Sequence, residues 1–135
     1  MKVKKHVDQM TEWEKGYIEH IVLKKAKVIG FSKHCEERMQ ERNIKVNVKD
    51  IAQEVKFENL IHMENEEGKM KFLLRGTKVY NDKKKGKSNL VFVLGYNFKV
   101  VSVWFNNIND KHATIDMNQY NENINVKKMY TGWAK

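Results

Sequence analysis

The chain has 135 residues, 41% of them hydrophobic and 32% charged, which suits one packed domain and excludes a disordered or fibrous composition. A formal net charge of +9, from 26 Lys+Arg against 17 Asp+Glu, favours polyanionic partners (RNA, DNA or an acidic protein surface) without choosing among them. The single cysteine, Cys35, excludes an internal disulfide, and no apolar run nears the roughly 18 residues of a membrane span.

Residues 1–10 read as a polar, basic arm or extended lead-in. The start, MKVKK, imitates the basic end of a signal peptide, but His6, Asp8, Glu12, Glu14 and Lys15 stand where an apolar segment is needed. The expected location is therefore cytoplasmic, with no membrane contact. Thr11 with Glu14 forms a capping-box pattern. Trp13, Tyr17, Ile18, Ile21 and Val22 follow at three- and four-residue steps and predict an amphipathic helix over about 11–26. Val28 to Phe31 is a short strand or extended link, and Ser32 is placed to cap the next helix.

That next helix, FSKHCEERMQER, carries His34, Arg38 and Arg42 at four-residue spacing. Each step of four turns a side chain by about 40°, so the three share one side of the helix. Phe31, Cys35 and Met39 form a displaced apolar stripe, and Glu41 projects beside His34. Such a set can meet an anion or RNA at the border of a core. Charged residues on a helix are more often a solvated face whose arginine stems cover apolar neighbours.

Asn43 ends this helix and Asn47 caps a short one, with Ile51, Ala52 and Val55 facing inward. Beyond it the pattern changes to strands. Leu60-Ile61-His62-Met63 and KMKFLLR, Lys69 to Arg75, flank a turn at Glu66-Glu67-Gly68. Residues 76–88 hold five lysines and two glycines and read as an exposed loop, or as a hairpin extension beginning at Val79-Tyr80. Asn89 to Tyr96 and Lys99 to Phe105 are apolar at nearly every position, so they belong at the centre of the sheet, joined by a turn at Asn97-Phe98. His112 to Asp116 is a candidate last strand, and Tyr120, Tyr130 and Trp133 can pin the polar tail. Helices first and strands after predict an α+β domain, its helices packed on one face of a curved, mainly antiparallel sheet of four or five strands.

The stretch His34-Cys35-Glu36-Glu37-Arg38-Met39-Gln40-Glu41-Arg42, followed by a helix, a hairpin containing KFLLRG and two apolar strands, resembles the DUF4258 domains. These are similar to the RelE and BrnT toxins within the barnase–colicin–RelE ribonuclease-like group. The resemblance spans about residues 28–116, with an arm and helix over 1–27 before it and a tail over 117–135 after it. It implies a RelE-like curved sheet with a basic concave face for RNA. By position, His34, Arg38 and Arg42 match the helix motif and Arg75 the strand arginine. The family's C-terminal functional residues do not map cleanly, which leaves His112 and Tyr120 as candidates only.

Metal-free RNA cleavage needs a base for the 2′-OH, a cation for the phosphorane and an acid for the leaving 5′-oxygen. His34 suits base or acid. Glu41 orients it or is itself the base. Arg38 and Arg75 would stabilise the phosphorane, and His112 or Tyr120 would supply the second proton-transfer group. Arg42, Lys83, Lys84, Lys85, Lys87 and Tyr120 are the candidate RNA-binding residues. No metal-ligand spacing and no glycine-rich phosphate loop is present, so neither metal nor cofactor is expected. His6, His20 and His62 read as surface or interface residues, Trp104 as core and Cys35 as a buried structural thiol. The sequence thus predicts an RNA-binding protein that is a candidate metal-independent endoribonuclease of the toxin kind, with an antitoxin as its acidic partner. The alternative is a catalytically inactive phage or mobile-element protein that docks on and inhibits a host defence or nucleic-acid enzyme.

Overall fold

The fold, from a computed structural model, is described for residues 4–66, 69–95, 97–110 and 120–124. Among these residues it is α+β, with four short α-helical segments and a seven-stranded, mostly antiparallel open sheet. The strands are β1 (Lys4–His6), β2 (Gly30–Phe31), β3 (Leu60–Glu66), β4 (Lys69–Arg75), β5 (Tyr80–Asp82), β6 (Gly86–Leu94) and β7 (Lys99–Asn107). They lie in the order β1-β3-β4-β6-β7-β2, and β5 pairs with β6 beside this path. Only β2 runs parallel to its neighbour, β7. The helices are α1 (Glu12–Tyr17), α2 (Leu23–Lys25), α3 (Lys33–Glu41) and α4 (Val48–Ala52). A π-helical turn, Ile18–Val22, joins α1 to α2, so the predicted first helix is continuous but locally overwide.

The caps form as the sequence indicates. Thr11 accepts from the Glu14 amide, Ser32 from Cys35 and Asn47 from Asp50, each supplying an acceptor for an amide the helix itself leaves unpaired. Asn43 takes a positive φ of 54°, which ends α3, and the Asn97-Phe98 turn places Phe98 at φ 66°.

Alternation along the strands splits their side chains between two faces. Met63, Phe72, Leu74, Leu90, Phe92, Leu94 and Val100 face the helices and pack with Ile18, Val22, Cys35, Met39 and Ile51. Helices and loops thus cover one face, as their order predicts. The other face carries a smaller cluster, Ile61, Leu73 and Val91, with Val93 and Trp104 half-buried against it. Val91 and Val103 are buried, whereas Val93 and Val101 are half-buried, because they stand at the thin second face and at a bulge.

Three expectations are corrected. The sheet has more strands than four or five, chiefly because the polar start is not an arm: β1 forms the edge beside β3. A lysine and a histidine are buried there because each finds a partner. Lys5 Nζ donates to both Glu14 carboxylate oxygens at 2.8 and 2.9 Å and to the Ile124 carbonyl at 3.0 Å. His6 Nδ1 accepts the Asp8 amide at 3.0 Å. Second, His6 and His62 are buried rather than at the surface, and both rings pack against Tyr120 in T-shaped pairs. Third, Ala52 is exposed, because so short a helix turns only Ile51 into the core. The region 76–88 follows the hairpin alternative, with Tyr80 opposite Ser88 and Asp82 opposite Gly86. The candidate strand His112 to Asp116 lies outside the described residues.

Candidate nucleic-acid interface

The parallel contact of β2 with β7 covers only Gly30 and Phe31 opposite Lys99 and Val100. Among the described residues, β7 from Ser102 onward therefore has β6 on one side and no strand on the other. A bulge falls at this point: Leu94 pairs with Val100 and Val93 with Ser102, leaving Val101 as the extra residue. Bulges bend a strand and raise its twist, and this one sits where β2 ends and α3 begins. Ser32, the α3 cap, still donates its amide to the Val100 carbonyl at 2.9 Å, which fixes the helix start against the strand. Helix α3 then runs beside the open edge of β7, with Cys35 and Met39 buried toward the core.

The groove left between α3, the open edge of β7 and the β5–β6 hairpin consists of three adjoining cavities. The first, about 280 Å³, is lined by His34, Arg38, Arg42 and residues Val101 to Trp104. The second, about 260 Å³, lies among Glu41, Arg42, Asp82, Lys84, Lys85 and Phe105. The third, about 430 Å³, is bounded by Arg42, Lys45, Tyr80, Asp82, Lys83, Lys84 and Phe105. Arg42 lines all of them. Six Lys or Arg side chains (Arg38, Arg42, Lys45, Lys83, Lys84 and Lys85) meet two carboxylates, Glu41 and Asp82, so the groove is strongly positive.

Within it the predicted helix triad is open to solvent. Arg38 Nε approaches His34 Nε2 at 3.5 Å, and its Nη1 approaches Glu41 Oε2 at 3.5 Å with both side chains more than half exposed. Contacts at that distance and exposure hold little energy, about 0–1 kcal/mol, and leave the guanidinium free to engage an anion. Arg42, Lys45, Lys83 and Lys84 make no side-chain hydrogen bond or ion pair among the described residues. Lys85 is engaged: its Nζ donates to the Phe105 carbonyl on β7 at 2.7 Å, covering part of the strand edge. The hairpin is held in place by Asp82 Oδ2, which accepts the Lys85 amide at 2.9 Å, and by Gly86 at φ 75°, a conformation that favours glycine.

The structure separates Arg75, Tyr120 and Lys87 from this groove. Arg75 points to the other sheet face, in register with Val91 and, through it, Trp104. Its guanidinium donates to Asn89 Oδ1 at 3.2 and 3.1 Å, to the Asn107 carbonyl at 3.0 Å and to the Asp110 carbonyl. It ties β4 to β6 and to the end of β7, a structural task, and borders a separate shallow cavity with Glu58, Gly76 and Thr77. The expectation that Arg75 joins His34 and Arg38 is therefore corrected. Tyr120 is likewise no surface residue. It is 5% exposed, its hydroxyl lies 3.1 Å from His62 Nδ1, and the rings of His6 and His62 enclose it. Lys87 is exposed but belongs to none of the three cavities. His112 lies outside the described residues.

Sequence reasoning missed Lys45, Tyr80, Asp82 and Phe105 as groove residues. Asp82 and Gly86 bracketing three lysines is the legible hairpin signal. That the hairpin stands beside α3 depends on sheet order, which local pattern does not carry. Cys35 is a buried thiol whose pKa is raised to about 11 by burial and by neighbouring Glu36, so it is a poor nucleophile. No cluster of three metal-ligating side chains occurs among the described residues, and no helix there is long and apolar enough to cross a membrane.

A scan of family models finds none that matches the chain, and searches of the curated proteins and of the solved structures likewise return no match.

Proposed function

We propose that this protein binds RNA along the groove between α3, the open edge of β7 and the β5–β6 hairpin, as a basic protein of RelE-like kind. The observation that carries the reading is the gathering of Arg38, Arg42, Lys45, Lys83 and Lys84 around one channel, from two stretches of chain far apart in sequence. Each is held at the surface without a strong partner among the described residues, so each can neutralise a phosphate and release counterions. Binding is favoured over cleavage. His34 and Glu41 offer proton transfer in the groove, but Arg75, the second proposed phosphorane-stabilising cation, is committed elsewhere.

The test is fluorescence anisotropy of a labelled single-stranded RNA against salt. With about five phosphates neutralised, log K should fall against log salt with a slope near −3.5, from roughly −0.7 per contact. Replacing Arg42, Lys83 and Lys84 with Gln should flatten that slope by about 2 while leaving the fold intact. An unchanged slope would remove the groove from the RNA footprint.

One observation favours a second reading, in which an acidic protein docks at the same place. The outer side of β7 beyond Val100 has no strand partner among the described residues, and such an edge accepts an added strand. A stoichiometric protein partner that survives nuclease treatment and is lost in the same triple variant would support it.

A further inference from the structure

The largest of the three cavities shares Arg42, Asp82, Lys84 and Phe105 with its neighbour, and of the three it alone adds Tyr80. Its rim is cationic, with Arg42, Lys45, Lys83 and Lys84. Its wall is aromatic: the rings of Tyr80 and Phe105 lie 5.4 Å apart, tilted by 48°. It also contains a carboxylate, Asp82, one of whose oxygens accepts the Lys85 amide while the other has no hydrogen-bond partner among the described residues. A bare polyanion would use only the rim. A phosphate pushed inward would meet Asp82, and like charges repel. What suits the interior is a flat, uncharged group with an apolar face and an N–H edge, joined to a phosphate that remains outside. The volume, about 430 Å³, admits a nucleobase with its ribose.

We infer that this cavity is a nucleotide-binding bay for single-stranded RNA, resting on the RNA-binding reading above. The backbone phosphates lie on Arg42, Lys83 and Lys84. One base turns in against Phe105 and Tyr80 and donates from its amino edge to Asp82. The strand is single because a paired base keeps that edge and its faces inside the duplex. The bay disfavours uracil. Uracil flanks its one ring N–H with two carbonyl oxygens, which would face the Asp82 carboxylate, whereas adenine and cytosine each carry an exocyclic amino donor.

The test compares three 5′-labelled eight-residue ligands by anisotropy: oligo(A), oligo(U) and an abasic ribose-phosphate chain of equal length and charge. Oligo(A) should bind about tenfold tighter than the abasic chain, the scale of one base on an aromatic wall. Phe105→Leu keeps an apolar side chain there and should bring that ratio close to one, with abasic binding unchanged. Asp82→Asn keeps the oxygen that holds the hairpin turn and should remove most of the preference for oligo(A) over oligo(U). If Phe105→Leu does not fold, the wild-type abasic comparison and Asp82→Asn still decide. Equal affinity for oligo(A) and the abasic chain overturns the bay but leaves the groove's RNA binding standing. Abasic and base-bearing ligands that both ignore loss of Arg42 and Lys84 overturn the RNA reading itself.

Discussion

Arg75→Ala and Arg42→Ala should have opposite consequences, although both arginines belong to the same set by sequence. The Arg75 guanidinium donates to the Asn89 side chain and to the carbonyls of Asn107 and Asp110, joining three points of the sheet. Hydrogen bonds from a charged donor are worth about 1.5–3 kcal/mol when buried. Here the side chain is half-buried and the Asp110 carbonyl exposed, so water recovers part of the loss. We expect a net cost of about 2–3 kcal/mol. A chain this long has an unfolding entropy near 0.28 kcal/mol/K, so the melting temperature should drop by about 7–11 °C. Arg42 is exposed and its side chain has no partner among the described residues, and Arg42→Ala should cost less than about 0.5 kcal/mol. It should nonetheless weaken RNA binding and reduce the salt slope by about 0.7. Urea melts of both variants beside anisotropy titrations of the folded protein give the answer. An Arg75→Ala protein as stable as the parent but with RNA affinity reduced more than that of Arg42→Ala would refute the assignment.

Three further outcomes follow from buried groups. Lys5→Met removes the cation from the Glu14 carboxylate, which keeps the Thr11 amide, at a site where both side chains are at most 10% exposed; it should cost about 3–5 kcal/mol in a denaturant melt, and adding Glu14→Gln should recover most of that. Gly76→Ala would place its Cβ 1.9 Å from Glu54 Oε2, forcing that carboxylate off the Lys78 amide. We expect a loss of about 1–2 kcal/mol, which should shrink in a Glu54→Ala background where the obstacle is gone. Cys35, with its pKa near 11, should resist alkylation in the folded protein at pH 8, where only about one thiol in a thousand is ionised, and react faster as pH rises toward 11. Alkylation at the rate of a free peptide thiol at pH 8 would show that the α3–β7 contact opens readily.

Local chemistry was legible wherever a residue's role depends on its near neighbours. Thr11, Ser32 and Asn47 cap helices because a short side-chain acceptor is set beside an amide two or three residues on, and that relation exists in one dimension. Apolar β6 reads as a central strand because a strand covered on both faces can be apolar throughout, but β7, expected beside it at the centre, is an edge from Ser102 onward among the described residues and is only half-buried on its second face. Spacing alone also placed His34, Arg38 and Arg42 along one cavity, since four residues nearly close a helical turn.

What depends on distant partners was decided by tertiary structure. β1 looks like a solvated arm until Glu14 and the Ile124 carbonyl are set against Lys5, nine and 119 residues away. Tyr120 looked available to RNA until the histidines of two strands closed on it. Arg75 and Arg42 are chemically alike and carry no local mark of their different tasks. Strand alternation turns one to the face where carbonyls from the end of β7 wait, and the end of α3 leaves the other over an open edge. The groove follows from the order β6-β7-β2 and from the brevity of β2, which stops pairing after Phe31. A two-residue strand has too few residues for any periodicity to announce it, yet its length determines how much of β7 stays open.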